Sequence, residues 1–286
     1  MNKTMNRFPL SRKELVKTQI GELGRRLASI PNGVRGEVNS NQVPWICTND
    51  VGFSDIIPGI RADLSKQKTT DKPRVALLSG VGSIASIASL PNDIDAFVSV
   101  DITDAIFSPI QRQVDAILAS NTIEEYHKHY NQPELFAQLQ AAGIDPQPYW
   151  EIEKNSFGKE HFLASIDNFL ATKKALTDKP LYFVHGNFNH KPFVDALGNA
   201  LQGCDIPYAS FTDLADWSPS FLDLLPAVPL NNETVVVWSQ NKGQPEGLTV
   251  PTPLARYSLG VKSYIADAKA ATIETSYQVQ FIGDHK

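Results

Sequence analysis

The stretch from Val75 to Asp101 constrains the fold of this chain more than any other. Val75-Ala76-Leu77-Leu78 is a short apolar run, and Ser79-Gly80-Val81-Gly82-Ser83 follows it. The apolar segment Ile84 to Leu90 comes next, stopped by Pro91, and the β-rich run Ala96 to Val100 ends on Asp101. Strand, glycine turn, helix, strand is a βαβ unit, and the handedness of such crossovers sets its two strands side by side and parallel. A parallel pair needs cover on both faces, so the rest of the chain must supply helices and further strands.

The remaining pattern does so. Ser11 with Glu14 forms a capping box, in which each side chain satisfies an orphan amide at a helix start. Val16, Ile20, Leu23, Leu27 and Ile30 then make one apolar stripe, ended by Pro31-Asn32-Gly33. Val34 to Thr70 reads as loop-rich, so residues 1–70 are expected to form an N-terminal helical cap, with the polar run Ser65 to Lys72 as its linker. Residues 71–286 are the α/β domain. Within it Asp104 to Lys179 reads as helical, an insertion at 105–179 after the second strand. That insertion holds a capping pair Thr122/Glu125, a helix from Pro133 to Ala142 stopped by Gly143, and a helical spacing of Phe162, Ile166, Phe169 and Leu170. The Trp- and Pro-bearing stretch Gly143 to Trp150 is expected as a connector. Leu181 to Val184, Ile206 to Phe211 and Thr234 to Trp238 are the later strands. Helices are expected at Lys191 to Leu201 and from Ser218-Pro219 to Leu225. Tyr277, Val279 and Phe281 alternate with glutamines as an edge strand would. The expected fold is therefore a three-layer, Rossmann-like α/β domain with a mostly parallel sheet.

Composition narrows the function. With 26 Lys and Arg against 31 Asp and Glu the formal charge is −5, which lacks the basic face that nucleic acid or an anionic membrane requires. The longest apolar stretch, Val75 to Leu90, is interrupted by Ser79, Gly80, Gly82, Ser83, Ser86 and Ser89, so no membrane span is expected. The N-terminal residues lack the apolar core of a secretory signal. Two cysteines, Cys47 and Cys204, make neither a disulfide framework nor a Cys-x-x-Cys zinc pattern. A soluble, cytoplasmic enzyme, monomer or homodimer, is the expectation.

In an open α/β sheet, ligands bind beyond the carboxyl ends of the strands. The first strand ends in Ser79-Gly80-Val81-Gly82-Ser83, where glycine permits positive φ and close approach to the main chain. The second ends at Asp101, 19 residues after Gly82. A carboxylate there accepts hydrogen bonds from the hydroxyls of a ribose, so turn plus acid is a nucleoside-binding constellation. The alternative for Asp101 is an N-cap of the following helix.

These residues resemble a family. The strand with SGVGS, the strand ending in Asp101, the strand with HGNF, then PYASFTDLADW and TVVVWS look like the motif series of class I S-adenosylmethionine-dependent methyltransferases, over about residues 73–240. The resemblance implies that Ser79, Gly80 and Gly82 hold the methionine part of S-adenosylmethionine. It implies that Asp101, with Ile102 beside it, binds the ribose, and that Asn187, with Phe188, contacts the adenine. Ser210 to Asp213 then face the transferable group. More narrowly, SGVGSIASIASLP, VDITDA, the helical insertion and SFTDLADW are similar to the 3-amino-3-carboxypropyl transferases of betaine-lipid synthesis. The chain departs from the family at Leu78 and Asn187, where acids are usual, and carries Asp104-Ala105-Ile106 where the narrower group has Pro-Ala-Gln.

The implied function is a transferase using S-adenosylmethionine on a small-molecule acceptor, methyl transfer leading. The alternatives are attack on the cofactor's amino-acid arm, either as 3-amino-3-carboxypropyl transfer or as cyclisation or lysis, with release of methylthioadenosine. Asp213, with Asp216 nearby, is the candidate base, and Tyr126 and Tyr208 are further catalytic candidates. Trp45, Asp50, Phe53 and Trp217 are candidates for the acceptor pocket, because a sulfonium is a cation that aromatic faces attract. Each has a plainer alternative: Asn187 and Asp50 as turn formers, Asp213 as a loop brace, Trp217 as a staple, Trp45 and Phe53 as core anchors. A nicotinamide-dependent oxidoreductase competes, since Gly-x-Gly plus a downstream acid also serves dinucleotides, although Gly80-x-Gly82 lacks a third glycine. A binding module without chemistry is the third class. His127-x-His129 beside Glu124 and Glu125 is not expected to chelate, because residues two apart on a helix face apart. No metal is expected.

Overall fold

A computed structural model of the chain describes residues 11–36, 52–80, 82–130, 133–141, 146–211, 221–241, 262–268 and 279–282. Helix α1 is Arg12–Ala28 and α2 is Phe53–Lys66. Strand β1 (Arg74–Ser79), helix α3 (Ser83–Ser89) and strand β2 (Ala96–Asp101) form the βαβ unit. The insertion follows as α4 (Phe107–Ala119), α5 (Ile123–Tyr130), α6 (Pro133–Ala141), α7 (Pro146–Phe157) and α8 (Ile166–Asp178). Strand β3 (Leu181–His185), helix α9 (Lys191–Leu201), strand β4 (Asp205–Phe211), helix α10 (Phe221–Leu224) and strand β5 (Val235–Asn241) come next, then β6 (Lys262–Ala268) and β7 (Val279–Ile282).

The sheet order is β3-β2-β1-β4-β5-β6-β7. The first six are parallel, and β7 closes the edge antiparallel to β6. β1 sits inside the sheet between β2 and β4, with Leu78 opposite Ser99 of β2 and Ala76 opposite Tyr208 of β4. Its apolar side chains alternate between two cores, as a strand covered on both sides requires. Ala76 and Leu78 join Phe97, Val235 and Val237 under α2, α3, α4, α5 and α8. Val75 and Leu77 join Val98, Val100 and Val236 under α1 and α9. The crossovers from β1 to β2 and, in its described residues, from β2 to β3 thus lie on one face, and that from β3 to β4, with the described residues leading into β5, on the other. The winding reverses between β1 and β4, where such a sheet opens a crevice at its carboxyl edge.

The Ser11 capping box forms as expected, with Ser11 and Glu14 bonded reciprocally. Three local expectations change. Val34 to Thr70 is not all loop: Phe53, Ile56, Ile57, Ile60 and Leu64 lie on one stripe and α2 buries it. Gly52 starts that helix with a left-handed φ of 88°, and Pro58 sits inside it. The stretch Gly143 to Trp150 is not simply a connector, since α7 begins at Pro146, where a missing N–H costs nothing at a helix start. Phe162 precedes α8, whose cap is Ser165 accepting the Asn168 N–H at 3.2 Å. The two described helices of the 1–70 segment go to opposite layers, α1 to one core and α2 to the other. No described helix is long and apolar enough to cross a membrane.

Candidate functional site at the strand ends

The carboxyl ends of β1 and β2 meet beside the reversal point. Gly80 follows β1 with φ +59°, and its N–H donates to the Val100 carbonyl at 3.0 Å, so the turn stays stitched to β2. A β-carbon on Gly80 would lie 2.7 Å from Asp101 Oδ2. Glycine is required there twice over, by the backbone angle and by the carboxylate that occupies the side-chain space. Gly82, with φ +84°, starts α3.

Asp101 is half-buried at the end of β2. Burial pushes its pKa up to about 6, against the pull of hydrogen bonds from the Thr103 and Ile102 N–H groups. Its Oδ1 accepts the Thr103 N–H at 2.7 Å. One oxygen therefore braces the turn leading to Asp104, while the other faces Gly80. Ile102 is half-buried beside it, and its carbonyl accepts from His185 Nε2 of β3 at 2.9 Å. With Gly186 N–H donating to the Asp101 carbonyl at 2.8 Å, the end of β3 holds the acid-bearing turn in place.

Asn187 stands just past β3. Its side-chain oxygen accepts the Asn189 N–H at 2.8 Å and its own N–H donates to the Arg35 carbonyl at 2.9 Å. It is thus a turn former as well as a strand-end residue. The Arg35 guanidinium donates to the carbonyls of His185 (3.0 Å) and Ile30 (3.1 Å), fastening the segment after α1 to this edge. Ser210, near the end of β4, is buried, as is Tyr208 two residues before it. Burial drives the Tyr208 pKa far up, so the phenol keeps its proton and is no base at ordinary pH.

Gly80, Gly82, Asp101, Ile102 and the backbone of Ser79 lie together at the carboxyl ends of β1 and β2, with Asn187 just past the end of β3 and Tyr208 and Ser210 buried on β4. Other candidates go elsewhere. Phe188 is core, edge-on to Phe193 and Phe211 with ring centres 6.0 and 5.5 Å away. Phe53 stacks on Phe157 at 4.4 Å in the opposite core, which makes it an anchor of α2 rather than a pocket wall. Tyr126 is fully buried in the insertion, stacked on Tyr130, edge-on to Phe162, with its hydroxyl accepting from Gln113 Nε2 at 3.3 Å. An aromatic stripe at helical spacing makes a core, and Tyr126 is its centre. Asp213, Trp45, Asp50 and Trp217 lie outside the described residues.

The structure adds Ala85 to the site's supports. Ala85 occupies the third place of a Gly80-x-Gly82-x-x-Ala85 turn, and only 1% of it is exposed. A small residue there lets the helix lie close on the strand, the role the third glycine otherwise fills. The signal was present in the sequence as that alanine. No protein-family model matches the chain, and no curated protein matches it.

Proposed function

We propose that this chain is an S-adenosylmethionine-dependent transferase of the methyltransferase type, acting on a small-molecule acceptor. The observation that carries the reading is Gly80 pressed against the Asp101 carboxylate, at the point where the sheet's winding reverses. An acid there accepts from ribose hydroxyls, and a turn with no side chain leaves its backbone open to the rest of the ligand. Gly80, Gly82, Asp101 and Ile102 would hold the cofactor, with Asn187 at the far side. Bound S-adenosylmethionine supplies a sulfonium whose adjacent carbons are open to displacement. The protein's part is to orient the acceptor and exclude water, worth up to ~7–11 kcal/mol when alignment is good.

Among the described residues, charge at the strand ends favours a cationic ligand over a pyrophosphate. The strand ends carry the carboxylates of Asp101 and Asp104, while the Arg35 guanidinium is committed to two carbonyls. Lys191, at the start of α9, is paired with Asp195 at 2.6 Å. Methyl transfer leads among the possible reactions, and attack on the amino-acid arm is the variant. A second reading, a nicotinamide-dependent oxidoreductase, is favoured by Ala85 and by the six parallel strands, whose order is that of dinucleotide-binding sheets.

Isothermal calorimetry with S-adenosylmethionine and with NAD separates the two, since the transferase reading requires heat from the first and none from the second. Incubation with S-adenosylmethionine then identifies the reaction by mass spectrometry. S-adenosylhomocysteine marks methyl transfer, and methylthioadenosine marks attack on the arm.

A further inference from the structure

Helix α3 has seven residues, fewer than a helix needs to hold itself in water. What ties it down therefore decides where the glycine turn sits. Ser83, its first residue, donates its hydroxyl to the Gly80 carbonyl at 2.7 Å. Its Oγ also lies 3.0 Å from Ser99 Oγ on β2. A hydroxyl has one hydrogen, and that of Ser83 goes to Gly80, so Ser99 is the donor in the serine pair. The chain Ser99 to Ser83 to Gly80 carbonyl is buried, with Ser83 2% and Ser99 0% exposed. Ser99 stands two residues before Asp101, and residues two apart on a strand share a face. The same β2 face therefore carries the clasp on the turn and the acid beside the turn.

On the other side of β1, Ser86 is buried one helical turn after Ser83, on the face of α3 whose core also holds Tyr208 of β4. The short helix is thus fastened by a buried hydroxyl pair to β2, the strand that carries Asp101. An apolar contact would allow it to slide, whereas a buried hydroxyl pair fixes distance and angle.

We infer that Ser83 and Ser99 are positioning residues, which hold the glycine turn at a set spacing from the Asp101 carboxylate. For ligand affinity this rests on the nucleoside reading above, while the hold on the turn does not. Ser99→Ala removes the donor and leaves the Ser83–Gly80 bond intact. Ser83→Ala/Ser99→Ala removes both hydroxyls of the pair and, with them, the donor to the Gly80 carbonyl. Ser99→Thr keeps the hydroxyl and serves as the rescue.

Hydrogen exchange and calorimetry are measured on the full chain. The expected result is about tenfold faster exchange of the amides from Gly82 to Ser86 in Ser99→Ala and in the double variant. S-adenosylmethionine affinity falls about tenfold in step, with the melting temperature within about 4 °C of the parent, and both readouts return in Ser99→Thr. Unchanged exchange in the folded variants overturns the inference and leaves the cofactor reading standing. Faster exchange in a protein whose parent form takes up no S-adenosylmethionine supports the clasp and removes the transferase reading instead.

Discussion

Asp101 is where stability and function pull in opposite directions. Its carboxyl is raised from the ordinary 3.8 to about 6 by burial. Between those two values the folded state holds more protons than the unfolded one, so stability falls as pH rises through this window and stays lower above it. Asp101→Asn removes that cost while keeping an oxygen for the Thr103 N–H. The variant should be more stable than the parent at pH 8, by on the order of 1–2 kcal/mol for a half-buried group, and match it below pH 4. Denaturant titrations at the two pH values measure this, and a variant less stable than the parent at pH 8 contradicts it. Affinity for S-adenosylmethionine should fall in the parent as pH drops through 6, because ribose hydroxyls donate to the charged form, and be lost in the variant at every pH. Gly80→Ala is expected to fail differently. Its β-carbon meets the Asp101 carboxylate at a φ of +59°, so the strain is on the order of 1–3 kcal/mol and the carboxylate must turn away. Calorimetry should detect no binding to a protein that still melts cooperatively.

At the scale of elements, the two cores explain which helices the sequence disclosed. α1 and α9 show a clean stripe against one core, and the strands β1 to β5 are short apolar runs in the order they were read. α2 is hidden because Gly52 and Pro58 look like turn residues, yet five apolar side chains at helical spacing outweigh one lost hydrogen bond. Phe53→Ala should therefore cost about 3–5 kcal/mol, as loss of a buried aromatic does, measured by denaturant unfolding. A cost below 1 kcal/mol would mean that α2 does not anchor this core. The same physics relocates Tyr126 and Phe188: aromatic side chains at helical or strand spacing pack first. Glycine turn and acid were legible because both have special chemical demands, positive φ and a hydrated charge. Ser83 and Ser99 were not, because a serine shows its role only once its partner is beside it. Strand β6 went unread, since Lys262 to Ala268 carries small and polar residues and gains its strand character from pairing with β5.

For the whole molecule, the reversal of winding between β1 and β4, like the glycine turn and the acid beside it, serves both cofactor readings, so it cannot choose between them. Linkage can, because a ligand that binds only the folded chain raises its melting point by mass action. At a hundredfold excess over its dissociation constant it contributes about 2.7 kcal/mol. In a chain of this size that corresponds to a rise of roughly 4–6 °C. S-adenosylmethionine is expected to produce such a rise and NAD none, in parallel thermal scans at matched excess. The site must also be the one described, so the rise should vanish in Asp101→Ala while that protein's own melting curve remains cooperative. Because the Asp101 turn is braced by β3 through His185 and Gly186, removing the carboxylate leaves the strand ends joined. A rise that persists in Asp101→Ala would put the ligand elsewhere on the sheet. A rise with NAD alone would move the chemistry to hydride transfer in the same crevice, where Ala85 lets α3 lie close enough for a pyrophosphate.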